Sequence, residues 1–214
     1  MSIKPDMRFR RLREKGSRDF TLACEIIDAA RICHVGFTRE QQPYVVPMAL
    51  ARDKECLLLH GSVVSRLMKH LAHGMPCCVT VTHLDGLVLA RSAFHSSMNY
   101  RAVMVFGNAV AVTDPAAKSR GLDILTERLA PGRLADVRGS TRKELNAMLL
   151  LSLSIRDFTV KVSNSPPGDP AADVKAPIWA GVIPFSVEAG RPQPAPDMDP
   201  TIPLPAYLKK GRFR

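Results

Sequence analysis

Between Ile32 and Thr113 the chain breaks into short runs rich in Val, Leu and Ile: Ile32–Thr38, Tyr44–Ala51, Cys56–His60, Cys77–Thr82, Leu87–Arg91 and Ala102–Thr113. Turn-forming stretches separate several of them, among them Gln41-Gln42-Pro43, Arg52-Asp53-Lys54 and Asp85-Gly86. Short β-prone runs joined by tight turns predict antiparallel neighbours, and this many in succession predicts a sheet that closes on itself as a barrel. Helices flank the strands. Phe20–Arg31 puts Leu22, Ile26, Ala29 and Ala30 near one face, with Asp19 or Thr21 as N-cap. A second helix runs from about Val64 to His73 and ends at Gly74; a third starts at Asp114-Pro115 and stops by Leu129, before Pro131-Gly132. A short helix over Arg142–Met148 leads into Leu151–Val162, which reads as one half-exposed strand. The expected fold class is mainly β with flanking helices.

With 214 residues, 46% of them hydrophobic, the chain can bury one good core. It divides into a basic lead (1–18), a barrel domain (19–165) and a Pro-rich extension (166–214). Eleven of the seventeen prolines lie in that extension, which is expected to pack on the barrel or on a partner subunit. Its one apolar anchor is Trp179-Ala180-Gly181-Val182-Ile183-Pro184-Phe185. No apolar run reaches the ~20 residues needed to span a bilayer, and the start is charged, so a cytoplasmic protein without a membrane segment is expected.

The net charge of +10 invites a nucleic-acid reading, but nine of those charges come from residues 1–18 and the last six residues. The body is nearly neutral, so no specific nucleic-acid partner is expected. Five cysteines make an odd count without a C-x-x-C pair, which suggests reduced, buried thiols. Cys77 and Cys78 are neighbours in a strand and face opposite ways, so no metal site is expected on them.

The most informative stretch is Leu59-His60-Gly61-Ser62-Val63-Val64-Ser65-Arg66. An apolar strand ends where a helix starts, bringing backbone N–H groups, hydroxyls and a guanidinium together as phosphate donors. The same residues also suit an ordinary strand-to-helix turn capped by Ser62, with Arg66 in solvent. His60 sits at that strand end, either as a rim residue or as a group able to titrate near neutral pH. His70 and His73, three apart on the helix, lack a third metal ligand. Pro47 inside Tyr44–Leu50 marks an edge, a bulge or a backbone that faces a ligand. Arg101, in the polar stretch before an apolar strand, can reach an anion or cover the sheet rim.

Taken in order, Pro43-Tyr44-Val45-Val46-Pro47, Leu59-His60-Gly61-Ser62 with Ser65-Arg66, Asn99-Tyr100-Arg101-Ala102-Val103-Met104-Val105-Phe106-Gly107 and Trp179-Ala180-Gly181-Val182-Ile183-Pro184 resemble the pyridoxamine 5′-phosphate oxidase superfamily. The likeness, over about residues 20–190, is to its branch of flavin-nucleotide-binding and nitroimidazole-resistance-type proteins. The resemblance implies an antiparallel split barrel that forms a homodimer with two FMN sites. It makes Val46, Pro47, Met48 and residues Thr80, Val81 and Thr82 ring contacts. Gly61, Ser62, Ser65 and Arg66 become phosphate ligands, with Lys69 standing in for a clamp lysine missing from its place. Tyr100 and Arg101 border the site, and His60 becomes the tentative catalytic residue beside the flavin. A flavin-contacting glutamine of the oxidases falls on Ala102, and their C-terminal Arg-x-His pattern has no counterpart, which argues against vitamin B6 oxidation. The implied function is FMN-dependent electron transfer from NAD(P)H to a small acceptor, with FAD as an alternative cofactor. A non-catalytic flavin or haem carrier or sensor is the rival reading.

Overall fold

The computed structural model describes residues 6–208. In chain order the elements are β1 (Gly16–Ser17), α1 (Phe20–Ala29), β2 (Ile32–Arg39), β3 (Gln42–Asp53), β4 (Cys56–Ser62), α2 (Arg66–Ala72), β5 (Pro76–Leu89), β6 (Ser97–Asn108), β7 (Val110–Ala111), α3 (Pro115–Leu129), α4 (Arg142–Ala147), β8 (Met148–Ser154), β9 (Asp157–Ser163) and β10 (Gly181–Pro184). The strands pair antiparallel in the order β1-β9-β6-β5-β2-β3-β4-β8-β7, with β10 added to the far half of β5. This mostly antiparallel sheet with few helices is the split-barrel architecture.

Alternation along the strands decides which side chains fill the barrel. Cys33 and Val35 of β2, Val79 and Val81 of β5, Val103 and Val105 of β6, and Phe158 and Val160 of β9 share one core with Leu57 and Leu59 of β4 and Leu151 and Leu153 of β8. Helix α1 contributes Ala23, Ile26 and Ile27, and α2 contributes Leu67, Met68 and Leu71. Each fully buried aliphatic side chain stabilises the fold by about 1.5–3 kcal/mol. Asp19 caps α1 by accepting the Thr21 and Leu22 N–H groups. On the other face of β3, β4 and β8, α3 packs Leu125 onto Ala51, Leu58 and Leu150. Gly121 permits that approach, since a Cβ there would sit 2.4 Å from Leu150 Cδ2.

Five sequence expectations are corrected. Cys77–Thr82 and Leu87–Arg91 belong to one fourteen-residue strand, because Asp85 forms a bulge rather than a turn and pairing resumes at Gly86. The polar stretch before Ala102 is itself strand from Ser97 onward. Leu151–Val162 is two strands, β8 and β9, bent at Ile155-Arg156, and the centre of β8 is buried rather than half-exposed. The helix expected from Val64 begins at Arg66, with Ser65 rather than Ser62 as its cap. Finally, within the expected anchor of the extension, residues 181–184 pair as β10 with Gly86–Leu89, but Trp179 itself is 66% exposed. The lead also joins the sheet, since β1 pairs with β9 and Lys15 donates to Ser163 Oγ at 2.9 Å. Residues 1–5 and 209–214, which carry part of the basic ends, lie outside the described residues.

Candidate functional site

The two-residue turn Glu40-Gln41 joins β2 to β3, with φ of 51° and 65°, the left-handed conformation of a tight hairpin. Neither residue is glycine, so the hairpin stores backbone strain at its tip. Its register places Phe37 and Arg39 of β2 on the same face as Tyr44, Val46 and Met48 of β3. Opposite them lies the β4–α2 junction. Between the two is a cleft of about 410 Å³, lined by Phe37, Arg39, Glu40, Tyr44, Val46, Met48, Gly61, Ser62, Ser65, Arg66, Leu67 and Met68. Its volume falls in the range of small-molecule sites.

The cleft has an aromatic wall and a polar end. Phe37 stacks on Tyr44, with ring centroids 5.2 Å apart and planes at 17°. His70 of α2 tilts against the same Phe37 at 5.3 Å. At the polar end, Ser62 Oγ accepts from the Val64 N–H at 3.3 Å and Ser65 Oγ accepts from the Met68 N–H at 3.4 Å. Both hydroxyls thereby keep a proton to donate. Helix α2 has only seven residues, so its dipole adds little and the side chains dominate. Arg66 is exposed, and among the described residues it makes no hydrogen bond or ion pair, whereas Arg39 is paired with Glu40 at 3.1 Å.

Of the residues singled out from sequence, the cleft brings together Val46, Met48, Gly61, Ser62, Ser65 and Arg66. The others lie elsewhere. Val81 faces the barrel interior at 2% exposure. Pro47, Thr80, Thr82 and Tyr100 sit on the outer face of the sheet, because alternation turns them away from the core. Lys69 is exposed on α2 and does not line the cleft. Arg101 pairs with His83, six residues along β5 from the partner of Phe37, which is about 20 Å away. There its guanidinium donates to both carboxylate oxygens of Asp85, at 2.9 and 2.7 Å.

His60 shares its strand face with Leu58, pairs with Leu150 and lies beneath α3, so β4 itself separates its imidazole from the cleft. Its Nδ1 is buried without a partner, and burial holds its pKa below the ordinary histidine range. His70 Nε2 is likewise buried and unpartnered. His73 Nδ1 bonds the Lys69 carbonyl at 2.6 Å. Phe37, Arg39, Glu40, Tyr44, Leu67 and Met68 line the cleft without having been singled out. The signal for them was available: once 40–41 is read as a two-residue turn, alternation puts 37, 39, 44, 46 and 48 on one face. Burial pushes the thiols of Cys33 and Cys77 up to about 12 and about 11, so both are unreactive. Among the described residues no helix is long and apolar enough to cross a membrane.

The sequence pattern of the pyridoxamine 5′-phosphate oxidase family matches residues 21–162, two thirds of the chain. The chain belongs to this family. Within the family's solved structures, a FAD and haem binding protein from Mycobacterium smegmatis is 39% identical, with 91% of this chain and 95% of that one covered at a TM-score of 0.88. The flavocytochrome Anf3 from Azotobacter vinelandii is 36% identical over 94% of both chains, at a TM-score of 0.89. A Bacteroides thetaiotaomicron protein assigned to 5-nitroimidazole antibiotic resistance shares the fold at 24% identity, covering 69% of this chain and 86% of its own, with a TM-score of 0.58. No curated protein sequence matches.

Proposed function

We propose that this protein is a flavin-nucleotide-binding redox protein whose cleft between the β2–β3 hairpin and the β4–α2 junction holds the flavin. The observation that carries the reading is Arg66: a guanidinium unpaired among the described residues that lines the cleft, beside two serine hydroxyls that can still donate. That donor set suits a phosphate, while Val46, Met48 and the Phe37–Tyr44 stack suit an apolar, planar ring. Two relatives of more than 35% identity that bind flavin or are flavocytochromes support it. A bound flavin supplies electron transfer; this chain's residues bind it, orient it and exclude water from one of its faces.

The same two relatives favour haem as a second cofactor, and two imidazole nitrogens fit it. His60 Nδ1 and His70 Nε2 are buried without partners, and iron ligation would satisfy either one. Burial keeps His60 in the neutral form that a metal ligand requires. A nicotinamide as electron donor and a small acceptor complete the proposal.

Titration of purified protein with FMN, FAD and haemin tests it, followed by anaerobic addition of NADH or NADPH. Stoichiometric flavin uptake with quenched flavin fluorescence is expected. A protein that takes up neither flavin is not a flavin protein. One that binds flavin but is not reduced by a nicotinamide is a carrier or draws on another donor.

A further inference from the structure

Two charged residues of the cleft take no part in the phosphate cradle of Ser62, Ser65 and Arg66. Arg39 and Glu40 stand at the tip of the β2–β3 hairpin, where Arg39 faces Gln42 as the last pair before the turn. Arg39 follows Phe37 by two residues on the same strand face, so its Cα lies about 6.6 Å further along β2 toward the tip. Arg66 stands one helical turn before His70, whose ring tilts against the same Phe37. Phe37 is therefore flanked by two arginines, one on each wall, and both line the cleft.

The tie between Arg39 and Glu40 is weak and one-sided. Arg39 Nε donates to Glu40 Oε1 at 3.1 Å, and Nη2 lies 3.1 Å from the same oxygen. One carboxylate oxygen takes both donors, without the two-oxygen fork that makes a guanidinium pair strong. The two side chains are 45% and 80% exposed, and a pair so open to water contributes little. Glu40 released from Arg39 is solvated at once, so an incoming oxyanion takes the guanidinium at small cost. A phosphate with two free oxygens offers the fork that the Glu40 pair lacks.

The charges favour a ligand that brings two anions. Arg39, Glu40 and Arg66 are the charged residues that line the cleft, one carboxylate with two guanidinium groups. A phosphate monoester gathers close to two negative charges on one group, which Arg66 and the serine hydroxyls can hold, leaving Arg39 to Glu40. A diphosphate diester spreads its charge over two linked phosphates, which matches two separate guanidinium groups. Residues 38–45 are all exposed, so the tip leaves room for the nucleoside such a ligand carries beyond its second phosphate.

We propose that Arg39 is the specificity residue of the cleft. It leaves Glu40 to bind the second phosphate of a dinucleotide flavin, and Glu40 is the internal competitor that holds it while a mononucleotide is bound. This rests on the flavin reading of the cleft and adds which nucleotide form the cleft selects. Fluorescence titration of the full chain with FAD and FMN gives a ratio of Kd values that reads the subsite. Wild type is expected to favour FAD. Arg39→Ala should lower that preference about 3- to 10-fold, between the scales of an exposed ion pair and a charge-assisted hydrogen bond, while Arg66→Ala weakens both ligands. Glu40→Gln should raise the preference. A wild type that favours FMN overturns the proposal, as does Arg39→Ala that weakens both ligands alike or neither. An unchanged ratio in Glu40→Gln overturns the competitor role. Calorimetric titration with inorganic pyrophosphate and orthophosphate needs no flavin and separates the two failures. In a chain that takes up no flavin, a pyrophosphate preference lost in Arg39→Ala upholds the two-phosphate subsite and overturns only the flavin reading. A preference that is absent, or indifferent to Arg39, overturns the subsite itself.

Discussion

Replacing Arg66 by alanine is the sharpest test of the cleft, because the structure predicts an effect that depends on one group of the ligand. Arg66 has no partner within the described chain, so its removal orphans nothing in the unliganded protein. A hydrogen bond to a charged group is worth about 1.5–3 kcal/mol, and an exposed ion pair about 0.2–1 kcal/mol. At the mouth of a cleft, partly shielded once a ligand is seated, about 1–2 kcal/mol is expected, a roughly 5- to 30-fold rise in Kd for FMN. Riboflavin offers the same ring without the phosphate. Fluorescence titration of both ligands against wild type and Arg66→Ala forms a cycle: FMN should lose that factor and riboflavin almost nothing. Raising the salt concentration should shrink the FMN effect. Equal losses for the two ligands, or none for FMN, would refute the phosphate assignment. Ser65→Ala is a poorer probe, since it also removes the α2 cap, worth about 1 kcal/mol of stability.

Arg101→Ala breaks a partly exposed pair with Asp85 about 20 Å from the cleft, so it should cost at most about 1 kcal/mol in denaturant melts and leave flavin affinity unchanged. His60 has its folded pKa below the unfolded value near 6.5, so the unfolded chain binds the extra proton as pH falls. Stability should therefore drop from about pH 6.5 downward until the folded pKa is passed, and His60→Asn should flatten that part of a Tm-against-pH curve. Gly121→Ala drives a methyl group into Leu150 and should lower stability by about 1–3 kcal/mol, read by urea unfolding with an unchanged m-value.

Strand content was legible because period-2 alternation and short gaps leave few other folds for residues 32–113. Strand continuity was not. Asp85-Gly86 has the composition of a turn, and only the pairing of Leu84 with Tyr100 and Gly86 with Asn99 makes it a bulge. The cleft was half legible. Gly61, Ser62, Ser65 and Arg66 carry donor chemistry that sequence displays, whereas Phe37 and Arg39 join them only through the hairpin register. His60 and Arg101 looked like site residues by chemistry and position along the chain, and neither lines the cleft. The direction a side chain takes from a strand depends on which face the core claims, and sheet order sets that.

The amino-acid pattern by itself determined an antiparallel, mainly β domain, a strand-to-helix junction rich in phosphate donors, and charge gathered at the ends. These are local properties, set by alternation, capping and composition within a few residues. The tertiary structure alone decided which donors share a cleft, that Asp85 takes Arg101, that the sheet screens His60 from the cleft, and that the proline-rich extension adds its short strand β10 to β5. Those outcomes depend on register and packing between residues far apart in the chain, and no local preference encodes them.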